Sequence, residues 1–320
     1  MKAIKNDTEI DGMRKAYLRD SVSFVRFLAW LEYKISQGHG ISEYEAAFRL
    51  TEYRRTNKHF ISLTHEIISA SGPNAALSHY LLDKSTAVTI DRDAPYLNDS
   101  GGRYHDGACS IARTWTFGRP TTDHCRAYTR ALQRHIVIDS AIFTEGTTGQ
   151  QLDALFGYGP EDGCGVGFPN MHEGPKSLFN NVTLVPGHVI TNESGSCKSL
   201  LVYIEGSHRS ILLDMPGKFG IRIKSALTVR RVSVKSESDD SRLLGFERLT
   251  CVPIQTKMIK GSMLSKEDKQ WVKDHNRQCL ERLMPYLRDD KRASKWLKRE
   301  AEHGLGISLT SLGGISIGRG

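Results

Sequence analysis

No apolar run in this 320-residue chain approaches the ~20 residues that a membrane-spanning helix needs, which excludes that class of protein. The opening stretch, MKAIKNDTEIDGMRKA, lacks the charged-then-apolar layout of a signal peptide, so a cytoplasmic location is expected. Only six cysteines occur, Cys109, Cys125, Cys164, Cys197, Cys251 and Cys279. None forms a CxxC pair, so reduced thiols are expected rather than a disulfide framework or a zinc ribbon. There is no P-loop, no GxGxxG behind a strand, no GxSxG and no HExxH, so the commonest nucleotide-binding, serine-hydrolase and zincin signatures are missing.

The net charge is +8, and most of that surplus is local. Residues 251–300 hold 13 Lys/Arg against 7 Asp/Glu. These charges alternate with Trp271, Val272, Leu280, Leu283, Leu287, Trp296 and Leu297, as on the wet face of a helix. No helix-turn-helix, RRM or finger pattern accompanies them, so no nucleic-acid partner is expected.

Apolar residues at three- and four-residue steps, Met13, Tyr17, Phe24, Phe27, Leu28, Leu31 and Ile35, predict a long first helix that ends at Gly38-His-Gly40. Ser42-Glu-Tyr-Glu45 is a capping box that opens a second helix. From residue 86 the pattern turns to strands: 86–90, then 110–117, where Ile111, Arg113, Trp115 and Phe117 alternate with smaller residues. A helix over 122–142 follows, then strands near 183–193, 219–235 and 245–254. A C-terminal helical stretch begins at Ser265-Lys-Glu-Asp268 and runs to about 300. The segment 304–320 is Gly/Ser-rich and reads as a flexible tail. No solenoid repeat and no linker divides the chain, which predicts one α+β domain over 1–303.

Several short segments gain meaning from their order: Ser78-His79-Tyr80, Asn98-Asp99-Ser100-Gly101, Asp106-Gly107, Arg113-Thr114, Gly163-Cys164-Gly165-Val-Gly167, His172-Glu173-Gly174-Pro175, Thr191-Asn-Glu193, Phe219-Gly-Ile-Arg222-Ile-Lys224 and Val252-Pro-Ile-Gln-Thr-Lys-Met258. In this order they resemble the catalytic domain of cytosolic Xaa-Pro aminopeptidases (aminopeptidase P), a branch of the pita-bread peptidases with prolidase, methionine aminopeptidase and creatinase. The likeness runs over about 2–300 and implies the pita-bread α+β fold. It also implies a homodimer as the plausible assembly.

In that family two metal ions are held by two Asp, one His and two Glu, and the resemblance assigns those positions here. Asp99 and Glu193 match a metal Asp and a metal Glu. The other three positions fall on Ser110, Cys164 and Lys224. A hydroxyl, a thiol and a cation thus replace two anions and an imidazole, so no metal cofactor is expected. Around the same site the chain is shorter between Leu155 and Gly163 and carries an inserted loop over 196–217, read either as a lid or as a surface excursion. His79 and His172 match a substrate-contacting and a proton-shuttling His, and Arg222 is retained.

These residues predict a repurposed, metal-independent acid–base enzyme for a small amide- or amino-acid-derived molecule, with His79, His172, Glu193 and Asp99 catalytic. Arg222, Cys164, Lys224 and Ser110 are expected to bind substrate. Creatinase-like hydrolysis, isomerisation, cyclisation and elimination all suit such a site. A non-catalytic pseudo-peptidase and a residual Xaa-Pro aminopeptidase are the alternatives. The Lys224 ammonium is expected within about 4 Å of Asp99 or Glu193.

Overall fold

The computed structural model describes residues 4–77, 80–155, 165–167, 182–197, 217–232 and 242–303. Helix α1 spans Asp7–Ser36 and starts at a capping box in which Asn6 and Glu9 satisfy each other's backbone N–H groups. Its buried face carries Ile10, Met13, Tyr17, Phe24, Phe27, Leu28, Leu31 and Ile35, the three- and four-residue spacing read from the sequence. Helix α2, Glu43–Arg55, opens at the Ser42–Glu45 box. A buried ion pair locks the two helices together: Arg54 donates to both oxygens of Asp20, at 2.8 and 3.0 Å. Asp20 also accepts from the Gly102 amide and the Tyr104 hydroxyl, so the charge is matched on every side.

Eleven strands follow in the described residues: β1 (Phe60–Leu63), β2 (Ile68–Ser71), β3 (Tyr96–Ser100), β4 (Gly102–Tyr104), β5 (Gly107–Ala108), β6 (Ile111–Trp115), β7 (Phe143–Thr144), β8 (Gly165–Gly167), β9 (Val189–Cys197), β10 (Gly220–Arg231) and β11 (Leu243–Arg248). Strands β1, β4 and β5 form a small antiparallel sheet. The other eight form one large antiparallel sheet. Within it β2 pairs with β3 and β3 with β6. Strand β10 carries β9 along one edge and, on the other, β6 at Lys224 and β11 from Leu227 onward. Between these strands lie α3 (Thr122–Asp139) and the short α4 (Gly149–Leu155), and the described chain closes with α5 (Lys266–Leu283) and α6 (Lys291–Glu302).

Ile221 and Ile223 of β10 pack against Tyr128, Leu132 and Ile136 of α3. The alternate residues Arg222 and Lys224 therefore project from the opposite face of the strand. A larger core joins α1 to Trp115, Leu249, Val252, Trp296 and Leu297. All five residues of β6 are buried, because the strand has neighbours on both edges and cover on both faces. The strand expected over 110–117 is thus present as β6, Ile111–Trp115.

Two local expectations need correction. The segment 86–90 is not a strand; only Thr89 makes an isolated bridge, to Ser42. The buried carboxylate of Glu43 holds this region instead, accepting from the Val88 and Ser71 amides, Asn74 and the Tyr80 hydroxyl. The C-terminal helical stretch is split, since Pro285 cannot continue α5 and the chain tightens into a 3₁₀ turn at Met284–Tyr286 before α6. The tail 304–320 lies outside the described residues.

Candidate functional site

The strand register builds the site. Asp99 pairs with Ala112, Ala112 with Lys224, and Lys224 with Glu193. These four residues form one row across β3, β6, β10 and β9, and paired residues in an antiparallel sheet project on the same face. Ala112 is the small member. Its methyl group leaves the Lys224 chain free to cross β6 and reach Asp99 two strands away.

The ammonium ends among three oxygens. Lys224 Nζ donates to Asp99 Oδ1 at 2.9 Å and to Ser110 Oγ at 3.2 Å, and lies 3.8 Å from Glu193 Oε1. The second Asp99 oxygen accepts from the Arg222 guanidinium at 2.7 Å. Asp99 is 2% exposed and Lys224 7% exposed, so this is a buried charge cluster. Burial alone would raise the Asp99 pKa, but Lys224, then Arg222 and His65, outweigh it and hold the carboxyl down at about 2. The Lys224 ammonium thus lies within 4 Å of both carboxylates, the juxtaposition expected from sequence.

His65 is a member that sequence reasoning missed. Its Nδ1 faces the Glu66 carbonyl at 2.8 Å, which requires a proton on Nδ1. Its Nε2 lies 3.4 Å from the Ser110 hydroxyl and 3.8 Å from Asp99. Ser110 accepts from Lys224 and lies against His65, linking the two. No local motif marks His65; it belongs to the connection between β1 and β2, and only the sheet brings that connection beside β6. Tyr17 of α1 was also missed as a supporting residue; its hydroxyl accepts from the Ser110 amide at 3.1 Å. Thr191, two residues along β9, donates to Glu193 at 2.8 Å.

Arg113 and Thr114 hold the row in place. Arg113 is fully buried, and none of its hydrogen-bond partners among the described residues is a carboxylate. All five of its donor positions are used, on the carbonyls of Ala112, Lys224 and Val252 and on the Ser225 hydroxyl. Burial pulls its pKa down to about 10. The Thr114 hydroxyl accepts from the Arg222 amide at 2.8 Å and donates to the Arg222 carbonyl at 3.1 Å, standing in for part of the β6–β10 ladder. Gly101, just past the row, is held to glycine by space: a Cβ there would lie 1.7 Å from the Cys109 carbonyl oxygen.

Of the eight residues selected from sequence, the structure brings together Asp99, Ser110, Glu193, Arg222 and Lys224. His79, Cys164 and His172 lie outside the described residues. The loop expected over 196–217 is likewise described only at its ends, where β9 finishes at Cys197 and Gly217 precedes β10. The cluster opens to solvent on one side, where Glu193, His65 and Arg222 show 39, 36 and 24% of their side chains.

The model for metallopeptidase family M24 matches residues 11–231, and that for the C-terminal region of the same peptidases matches 242–304. The chain is 39% identical to a protein of Coprinopsis cinerea named "Probable Xaa-Pro aminopeptidase P", with 94% of this chain and 48% of that protein covered. It is 38% identical to the protein of the same name from Laccaria bicolor, covering 94% of this chain and 46% of the relative. Among solved structures it resembles the X-prolyl aminopeptidase of Caenorhabditis elegans, titled a cytosolic enzyme with a di-nuclear active site, with TM-score 0.81 and 30% identity over 94% of this chain and 48% of that one. A Xaa-Pro dipeptidase from Bacillus anthracis matches at TM-score 0.59 and 26% identity, over 79% of this chain and 63% of that one. The chain spans about half the length of the curated relatives it matches. These likenesses bear out the expected aminopeptidase P resemblance and pita-bread fold. They overturn the expectation of a repurposed enzyme for small amide-derived molecules, because the relatives carry peptidase names.

A dinuclear centre asks for several anionic or imidazole ligands facing a shared space. Here the described donors are two carboxylates and a hydroxyl with an ammonium and a guanidinium set among them. No group of three His, Cys, Asp or Glu residues among the described residues could hold a metal ion. The residues described do not fit that group. No helix among them is long and apolar enough to cross a membrane.

Proposed function

Since the chain belongs to metallopeptidase family M24 and has its pita-bread fold, we propose that it is a residual Xaa-Pro aminopeptidase, working on peptides whose second residue is proline. The observation that carries this reading is 36–39% identity to proteins named probable Xaa-Pro aminopeptidase P, over 93–94% of this chain. In this reading the sheet row receives the peptide's N-terminal end. Glu193 is the half-exposed carboxylate for the α-ammonium, and the partly exposed Arg222 guanidinium is the donor for backbone oxygens. Asp99 and Lys224 neutralise each other beneath them and hold Arg222 in place. By the family likeness His79 would contact the substrate and His172 would shuttle the proton, and Cys164 keeps its expected substrate-binding part. The C. elegans relative is described as cytosolic, and the same location and a homodimer are part of this proposal.

The test is release of alanine from Ala-Pro-Pro against Ala-Ala-Pro by the full chain, with and without Mn²⁺, alongside calorimetric binding of both peptides. Slow release selective for proline in second place is expected. The absence of both release and selective binding would refute the reading. A second reading, holding the peptide without cutting it, is favoured by one observation: the Lys224 ammonium fills the space among Asp99, Ser110 and Glu193. Selective binding with no release decides for it.

A further inference from the structure

We infer that the Lys224 ammonium takes the position a divalent cation would need in this site, and that it excludes such ions from it. Three oxygens from three strands or strand ends converge on one nitrogen, at 2.9, 3.2 and 3.8 Å. Hard cations bind oxygen lone pairs at roughly 2.0–2.6 Å. Here the lone pairs that face inward meet N–H protons instead. Both oxygens of Asp99 already accept from a cation of the chain, one from Lys224 and one from Arg222, so an entering ion would have to displace or crowd a fixed positive charge.

Lys224 has no easy way out of this position. The residue is 7% exposed, and its register opposite Ala112 on one side and Glu193 on the other sends the chain over the sheet rather than to solvent. A divalent ion entering beside Asp99 would meet two fixed positive charges at close range, where their repulsion is weakly screened. Deprotonating Lys224 would remove one of these and leave Arg222. The site therefore balances its carboxylates internally, and its cation is part of the chain.

The reading of the metal requires no peptide, so it fails or holds separately from the proposed ligand. The full chain is dialysed against Mn²⁺ or Zn²⁺ and bound metal is counted, next to Lys224→Glu and to Lys224→Glu with Ser110→Asp. The native chain is expected to retain well under one ion and to show no change of melting temperature in Mn²⁺. The double variant, with four carboxylates facing one space, is expected to bind roughly tenfold or more tightly than the native chain and to melt higher when Mn²⁺ is added. Stoichiometric metal in the native chain overturns the inference. So does a double variant with a native circular dichroism spectrum and no gain in affinity. If the double variant does not fold, native crystals soaked in Mn²⁺ decide: anomalous scattering between Asp99 and Glu193 overturns the inference, and Lys224 Nζ density alone at that point upholds it.

Discussion

Replacing Lys224 with Met keeps a stem of similar length and removes the charge that joins β10 to β3. Asp99, only 2% exposed, would then rely chiefly on Arg222, with His65 at 3.8 Å. Breaking a buried pair from one side costs ~3–5 kcal/mol when the remaining charge has no other partner. The fall of the Asp99 pKa from 3.8 to about 2 gives a second scale, since attraction exceeds the burial penalty by roughly 2 kcal/mol. Arg222 stays at 2.7 Å, so the loss should fall short of the full penalty. We expect Lys224→Met to destabilise the fold by about 2–4 kcal/mol. Urea unfolding measures this directly, with a lower midpoint at an unchanged slope. A double-mutant cycle with Asp99→Asn isolates the pair and should give a coupling of about 1–3 kcal/mol. A variant within roughly 0.5 kcal/mol of the native chain, or a coupling near zero, would refute the argument, because Lys224 would then not be what holds Asp99.

The remaining expectations concern the frame of the site. Burial lowers the pKa of His135, on α3, to about 3 from 6.5. The unfolded chain therefore binds a proton that the folded chain refuses, and this group's contribution is full above 6.5 and lost as pH falls toward 3. Its share of the slope is about 1.4 kcal/mol per pH unit in that window, so His135→Leu should show a flatter acid limb in thermal melts from pH 7 to 4. A parallel pair of curves would show that His135 is not buried neutral. Arg113→Lys keeps the charge but loses the planar fork that spans Ala112, Lys224 and Val252. It should cost roughly 2–4 kcal/mol and speed amide exchange in β6 and β10, whereas unchanged exchange would mean the fork is dispensable.

Helix α1 was legible because its apolar spacing and its stop at Gly38 are local, and α2 because Ser42 and Glu45 satisfy N–H groups three residues apart. The charge reversal at Lys224 was legible too, since the residue type alone changes what a site can hold. The strand assigned to 86–90 failed because strand formation depends on a partner, and what lies beside that segment is the Glu43 carboxylate. The relatives' peptidase names could not be weighed from the departures alone, which drew the functional expectation toward a different chemistry. His65 carries no mark in its own neighbourhood, and Tyr17 reads simply as one more apolar position of α1. Both reach Ser110 only because a helix and a strand connection distant in the chain close on β6. The sequence by itself determined which charges are present and where the local helices begin. Tertiary structure alone decided which of those charges meet, because the register Asp99–Ala112–Lys224–Glu193 is set by pairing among four strands spread over more than a hundred residues, and a slip of one residue would turn every side chain to the other face.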